Sequence, residues 1–181
     1  MNNKIKFIKN IFNSNDKNTH FDKMILKPEY FNSLFIFNDY FTKFINNSSD
    51  AGCGNAIIRP YKYNQSSNKI AFNNKKIGLE CGEAFGIPTG DDNPNISDNI
   101  LFKDGIFPAF ISIYEKLKNG FYDKIIFSVD NNNNFAFCIF NPSQNIKNII
   151  NYGFELLCKI FVENEKELNF EELIFSQFNS F

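Results

Sequence analysis

The sequence has no tryptophan, one histidine (His20) and one arginine (Arg59), and its four cysteines form no C-x-x-C pair. Widely spaced cysteines argue against both a structural zinc site and a disulfide scaffold. No apolar run approaches the roughly 20 residues that a membrane helix needs, and the N-terminus lacks the apolar core of a signal peptide. We therefore expect a reduced, cytoplasmic protein that holds no metal and no cofactor.

The charge of the chain is close to balanced, with 19 basic against 20 acidic residues and a formal net charge of -1. Proteins that bind nucleic acid backbones carry a basic surface, and anionic lipids attract polybasic segments. The balanced total therefore predicts neither a nucleic acid partner nor a membrane partner. At 181 residues the chain has the length of one ordinary domain.

Phenylalanine occurs 24 times, and about one residue in six is asparagine, which is far above ordinary usage. A bias toward A- and T-rich codons explains both, and it also explains why every basic residue except Arg59 is lysine. The bias makes Arg59 informative, because a planar guanidinium forms paired hydrogen bonds that lysine cannot copy. The four consecutive asparagines at 131–134 are expected to form only a turn.

Apolar patterning divides the chain into a loosely patterned N-terminal arm over residues 1–30 and a single α/β domain over residues 31–181. Spacings of three and four predict a helix over 107–117, which Pro108 begins and Gly120 ends, and a second helix over 146–161. The predicted fold is a layered α/β domain with a mixed, mostly parallel sheet flanked by helices. Short apolar runs predict its strands at 34–38, 56–58, 70–72, 84–87, 124–129 and 135–140.

Two segments, 50–55 and 82–91, hold five of the nine glycines. Glycine lets backbone amides approach a ligand closely, and converging amides bind phosphate well. One interpretation is a cleft between two strand-end loops that binds a phosphorylated ligand through Gly52, Gly54 and Gly90. The other is a pair of tight turns that need positive φ. Neither a full G-x-G-x-x-G motif nor a P-loop is present.

Asn55 and Arg59 are four residues apart, so they would share one face of the predicted strand. An amide and a guanidinium on one surface can bind a ribose or a phosphate. The alternative is a buried structural arginine paired with Asp39, Asp50 or Asp91.

The second glycine segment adds polar side chains of its own. The Thr89 hydroxyl is a candidate phosphate contact, and Asp91 is a candidate ribose contact or catalytic base. Asp91 and Asp92 together more readily form a solvated turn than a metal site, because adjacent carboxylates seldom bind an ion without further ligands.

The motifs G-N-A-I-I-R-P at 54–60 and G-I-P-T-G at 86–90 resemble those of a group of uncharacterised bacterial and phage proteins. More distantly, the order of Asp39, the 52–55 loop and Pro88-Thr89-Gly90 resembles macrodomains. That resemblance implies a macrodomain-like fold that binds ADP-ribose. Here the macrodomain glycine run is shortened to Gly52-Cys53-Gly54, and its N-A-A-N element is missing.

We therefore expect the two glycine loops to bind a nucleotide-type ligand, either ADP-ribose-like or a signalling nucleotide, with sequestration of the ligand as a variant of this binding role. The expected ligand-binding residues are Asp39, Gly52, Gly54, Asn55, Arg59, Thr89 and Gly90. One alternative is a hydrolase that acts on an ADP-ribose linkage, with Asp91 orienting water. The other is a non-catalytic interaction or structural protein, and the phenylalanine content also leaves a homodimer open.

Overall fold

The computed structural model describes residues 5–13, 15–64, 69–72, 76–77, 80–93, 95–137, 141–165 and 168–179. The strands are β1 (Lys6–Ile11), β2 (Ser33–Tyr40), β3 (Tyr61–Asn64), β4 (Lys69–Phe72), β5 (Lys76–Ile77), β6 (Glu83–Gly90) and β7 (Lys124–Val129). The α-helices are α1 (Phe21–Met24), α2 (Phe41–Ile45), α3 (Asp98–Ile100), α4 (Phe107–Lys118), α5 (Gln144–Phe161) and α6 (Phe170–Asn179).

Within the described ranges, the main sheet contains four strands in the order β1-β7-β2-β6, and the three pairings between them are parallel. The two central strands, β2 and β7, are buried along most of their length and have continuous apolar residues at 34–37 and 125–127, as expected for parallel strands covered on both faces. A separate antiparallel sheet contains β3, β4 and β5.

Alternating side chains of each strand face two different apolar layers, because successive residues of a strand point to opposite sides. Leu34 and Ile36 of β2 belong to the larger core cluster, which also contains buried residues of α4, α5 and α6. Phe35 and Phe37 belong to the smaller cluster with α1 and the 3₁₀ helix Gly54–Ile58. The sheet therefore has helices on both faces.

These observations confirm the predicted α/β class, with a mostly parallel sheet flanked by helices. The two long helices match their predictions: α4 has Pro108 in its first turn, and Gly120 follows it with φ +72°. The N-cap of α5 is Ser143, whose side chain accepts a hydrogen bond from Ile146 N.

Two strand predictions differ from the structure. Residues 56–58 are not a strand, because Gly54–Ile58 forms a 3₁₀ helix; so short an apolar run does not distinguish the two. In the predicted strand 135–140, Phe135 forms one antiparallel bridge with Val129, and residues 138–140 lie outside the described residues.

The N-terminal segment is more ordered than the sequence predicts. Lys6–Ile11 pairs with β7 along its whole length as the edge strand β1. Lys6, Lys9 and Asn10 interrupt its apolar residues and weaken the pattern, and lysine is common on edge strands. No helix in the described ranges has the length and hydropathy needed to cross a membrane.

Candidate functional site

The carboxyl ends of the four parallel strands form one polar edge of the main sheet. This edge carries buried or partly buried polar residues from every strand: Asn10, Asn38, Asp39, Thr89 and Ser128. In open α/β sheets, ligands bind in the crevice outside this edge, where neighbouring strands send their connections to opposite faces. A ligand site is therefore expected at this edge.

The single arginine is buried in an ion pair at this edge. Arg59 Nε donates to Asp39 Oδ1 at 3.0 Å and to Oδ2 at 3.2 Å, and Nη2 also contacts Oδ1. Arg59 Nη1 donates to the carbonyl oxygen of Asp50 at 2.5 Å. Arg59 and Asp39 are 3% and 4% exposed, so the guanidinium charge is balanced inside the protein. This geometry matches the structural alternative for Arg59.

Two glycines of the predicted loops make room for this ion pair. A Cβ at Gly86 would lie 2.7 Å from the Asp39 Cβ, and a Cβ at Gly52 would lie 3.1 Å from both Arg59 Nη atoms. Gly54 has open space around it and φ +56°, which is a turn conformation that favours glycine. Packing and turn geometry thus explain these three glycines.

Asn55 connects the 3₁₀ helix to the sheet. Its Nδ2 donates to Ser128 Oγ of β7 at 2.6 Å, and the contact is buried. Asn55 and Arg59 therefore both reach the carboxyl edge, although from a helical turn rather than from a strand. Thr89 is fully buried, and its hydroxyl has no hydrogen-bond partner among the described residues. Gly90 follows it at the end of β6 and is partly exposed.

Both carboxylate oxygens of Asp91 accept backbone hydrogen bonds. Thr42 N donates to Oδ2 at 2.7 Å, and Asn93 N donates to Oδ1 at 3.1 Å. Burial raises the pKa of Asp91, but hydrogen bonds from Thr42, Asn93 and Asp92 outweigh it and hold the pKa below its usual value. Asp91 thereby supports the start of α2. No group of three or more metal-ligating side chains occurs among the described residues.

A polar cleft of about 520 Å³ lies beyond the carboxyl end of β7. The helix that directly follows β2, α2, buries Phe41 in the same core cluster as α5, which follows β7. Both strands therefore continue on the same face of the sheet, and the cleft lies on that face, between α5 and the chain that follows β7. Its lining combines five amide side chains, two phenylalanines and one residue of each charge: Asp130, Asn134, Phe135, Phe137, Asn141, Gln144, Lys147, Asn148 and Asn151.

Hydrogen bonds order the lining of this cleft. Lys147 Nζ donates to Asn141 Oδ1 at 2.6 Å and lies 5.9 Å from the centroid of the Phe137 ring. Gln144 Nε2 donates to Asn148 Oδ1 at 2.8 Å. These hydrogen bonds join neighbouring lining side chains at the exposed surface of the cleft.

The wall formed by Phe135, Ala136 and Phe137 is attached to both central strands. Asn38 Nδ2 of β2 donates to the Ala136 carbonyl oxygen, and Ala136 N donates to the Ser128 carbonyl oxygen of β7 at 2.9 Å. The Asn38 Oδ1 atom is buried without a partner among the described residues.

The sequence interpretation missed this cleft. A signal for it exists, since Gln144, Lys147, Asn148 and Asn151 recur at spacings of three and four and form a polar stripe on α5. On an amphipathic helix such a stripe is usually only the solvated face. The structure gives it a second wall in Phe135 and Phe137, and that wall could not be placed from the sequence.

No protein-family model, no curated protein and no solved structure matches the chain.

Proposed function

We propose that the chain binds a nucleotide-type ligand in the polar cleft beyond β7, without converting it. The observation that carries the proposal is the cleft itself, beyond the carboxyl end of β7. Its volume of about 520 Å³ lies in the range of small-molecule sites, roughly 300–1,000 Å³.

The chemistry of the lining supports a ligand of this class. Amide side chains offer both donors and acceptors, which suits the mixed edge of a nucleobase and the hydroxyls of a ribose. The Phe137 ring offers an apolar face for a base, and Lys147 offers a cation for a phosphate. The proposed site differs from the two glycine loops, because Arg59 and Asp39 neutralise each other beside those loops.

The position and the hydrogen bonds of Asp91, the candidate catalytic base, favour binding without turnover. Asp91 does not line the cleft, and both of its oxygens accept backbone hydrogen bonds. A carboxylate held in this way is poorly placed to activate water. Sequestration of a nucleotide is the form of binding that fits, and the ligand should then be recovered chemically unchanged after the protein is denatured.

Isothermal titration calorimetry of the full chain tests the proposal, with nucleosides, nucleoside monophosphates, ADP-ribose, NAD and cyclic nucleotides as titrants. At least one titrant should bind, and Asn148→Ala should weaken it by about tenfold through loss of a hydrogen bond. Asn145→Ala is the matched control, since Asn145 is an exposed asparagine of the same helix outside the cleft. No heat from any titrant, or equal losses in both variants, would refute the site.

A further inference from the structure

The described lining of the cleft carries one positive and one negative charge. Lys147 and Asp130 are the charged members, and all the other lining residues are amides or phenylalanines. Lys9 reaches the neighbouring turn, where Nζ lies 3.4 Å from the carbonyl oxygen of Asn133, but it does not line the cleft. A ligand with several phosphates would therefore meet too few cations to balance it.

Lys147 is positioned to bind one anionic group. An ammonium has three donors, and among the described contacts one of them is used by Asn141 Oδ1. The Phe137 ring lies beside the Nζ atom at 5.9 Å and limits the directions from which an anion approaches. The remaining donors suit a single phosphate, because a flexible lysine acts as a point charge and not as a bidentate clamp.

Asp130 opposes a second phosphate. Its Oδ1 accepts from Asn132 N at 2.8 Å and from Asn134 N at 3.0 Å. Its Oδ2 accepts no hydrogen bond among the described contacts, so it remains an acceptor for donors such as ribose hydroxyls. The same carboxylate repels phosphate, and like-charge contact disfavours an incorrect ligand.

Resting on the proposed function, we infer that the cleft selects a nucleoside monophosphate over both the bare nucleoside and a diphosphate such as ADP-ribose. Lys147 binds the single phosphate, and Asp130 Oδ2 accepts from the ribose hydroxyls. The expected ligand thus has one phosphate, whereas the sequence alone predicted either an ADP-ribose-like ligand or a signalling nucleotide.

Calorimetry on the full chain tests this inference with the four ribonucleosides, their 5′-monophosphates and ADP-ribose. For the nucleobase that binds most tightly, the monophosphate should bind about tenfold more tightly than its nucleoside. This gain is the size expected for one hydrogen bond to a charged group. ADP-ribose should bind less tightly than adenosine monophosphate, because its second phosphate meets no second cation in the described lining. A higher salt concentration should weaken binding of the monophosphate, because salt screens its charge, and should leave binding of the nucleoside almost unchanged.

Two variants separate the roles of the charges. Lys147→Gln should bring the affinity of the monophosphate down to that of the nucleoside, whereas Lys159→Gln, at an exposed lysine on the same helix, should not. Asp130→Asn should reduce the ratio of the affinity for adenosine monophosphate to the affinity for ADP-ribose. The inference is overturned, while the proposed function stands, if nucleoside and monophosphate bind equally, or if ADP-ribose binds as tightly as adenosine monophosphate or more tightly. If none of the compounds binds, the proposed function itself fails.

Discussion

Arg59 contacts Asp39 through two of its nitrogen atoms, and the two side chains are only 3% and 5% exposed. The pair joins the end of β2 to the residue that follows the 3₁₀ helix Gly54–Ile58. Arg59 also lies 5.7 Å from the centroid of the Phe37 ring. The one arginine of a lysine-rich chain thus has an internal partner that uses its planar shape.

Removing one partner of this pair should strongly destabilise the fold. We expect Asp39→Ala or Arg59→Met to lower the free energy of unfolding by about 3–5 kcal/mol, because each leaves an unpaired buried charge. The double variant should lose less than the sum of the two. Urea denaturation measures all three. The exposed pair Lys43–Asp50 provides the control, since Lys43→Met should change stability little; equal effects at the two pairs would contradict this account.

The cysteines should differ sharply in reactivity. Cys81 is 2% exposed, and burial raises the pKa of its thiol to about 11. Cys53 is exposed, so iodoacetamide at pH 8 should modify Cys53 first and Cys81 only after denaturation. Mass spectrometry of the labelled peptides measures this order, and rapid native labelling of Cys81 would contradict it.

The same pKa shift predicts how stability changes in alkaline solution. Because the folded pKa of Cys81 lies above the unfolded value of 9.0, unfolding favours release of the proton. The contribution to stability is therefore complete below about pH 9 and declines as the pH rises toward 11. Urea denaturation from pH 7 to pH 11 should show a smaller decline in Cys81→Ala than in the unmodified chain, and equal declines would contradict the assignment.

Asp91 should stabilise α2 and have no role in catalysis. Asp91→Asn should lower the free energy of unfolding by about 1 kcal/mol or less, since solvent screens this partly exposed carboxylate. The pKa of Asp91 is lowered in the folded state, so its contribution is present above the unfolded pKa and is lost as the pH falls through the folded pKa. Thermal melts between pH 2 and pH 7 measure this change, with exposed Asp92→Asn as the control.

The same variant separates binding from hydrolysis. Nucleotide affinity at pH 7 should be unchanged in Asp91→Asn, because Asp91 is not part of the cleft lining. Turnover of ADP-ribose linkages that Asp91→Asn abolishes would instead support the hydrolase alternative.

The sequence predicted the long, strongly patterned elements well. The continuous apolar run of β7 and the apolar stripes of α4 and α5 match the structure, because burial on both faces or along one stripe leaves a clear periodicity. It failed at 56–58, where three apolar residues fit a strand and a helical turn equally well. It also missed β1, whose lysines break the apolar pattern at the edge of the sheet.

The candidate site was only partly predictable. The spacing of Asn55 and Arg59 was interpreted with strand geometry, whereas the segment is a 3₁₀ helix, and the pattern could not show that Ser128 and Asp39 are their partners. Those contacts join residues 73 and 20 positions apart, and single-sequence patterning carries no information on such long-range pairs. The cleft depends on a comparable contact, between Asn38 and Ala136.

Consecutive residues of β2 serve opposite sides of the sheet: Asn38 holds the cleft wall, and Asp39 holds Arg59. One peptide unit therefore links a wall of the cleft to a buried ion pair. A ligand that contacts this wall would also restrain the end of β2. Binding of the ligand should therefore raise the melting temperature of the protein. When the ligand is bound, backbone amides of the wall and those around Asp39 should both exchange with solvent more slowly than in the free protein.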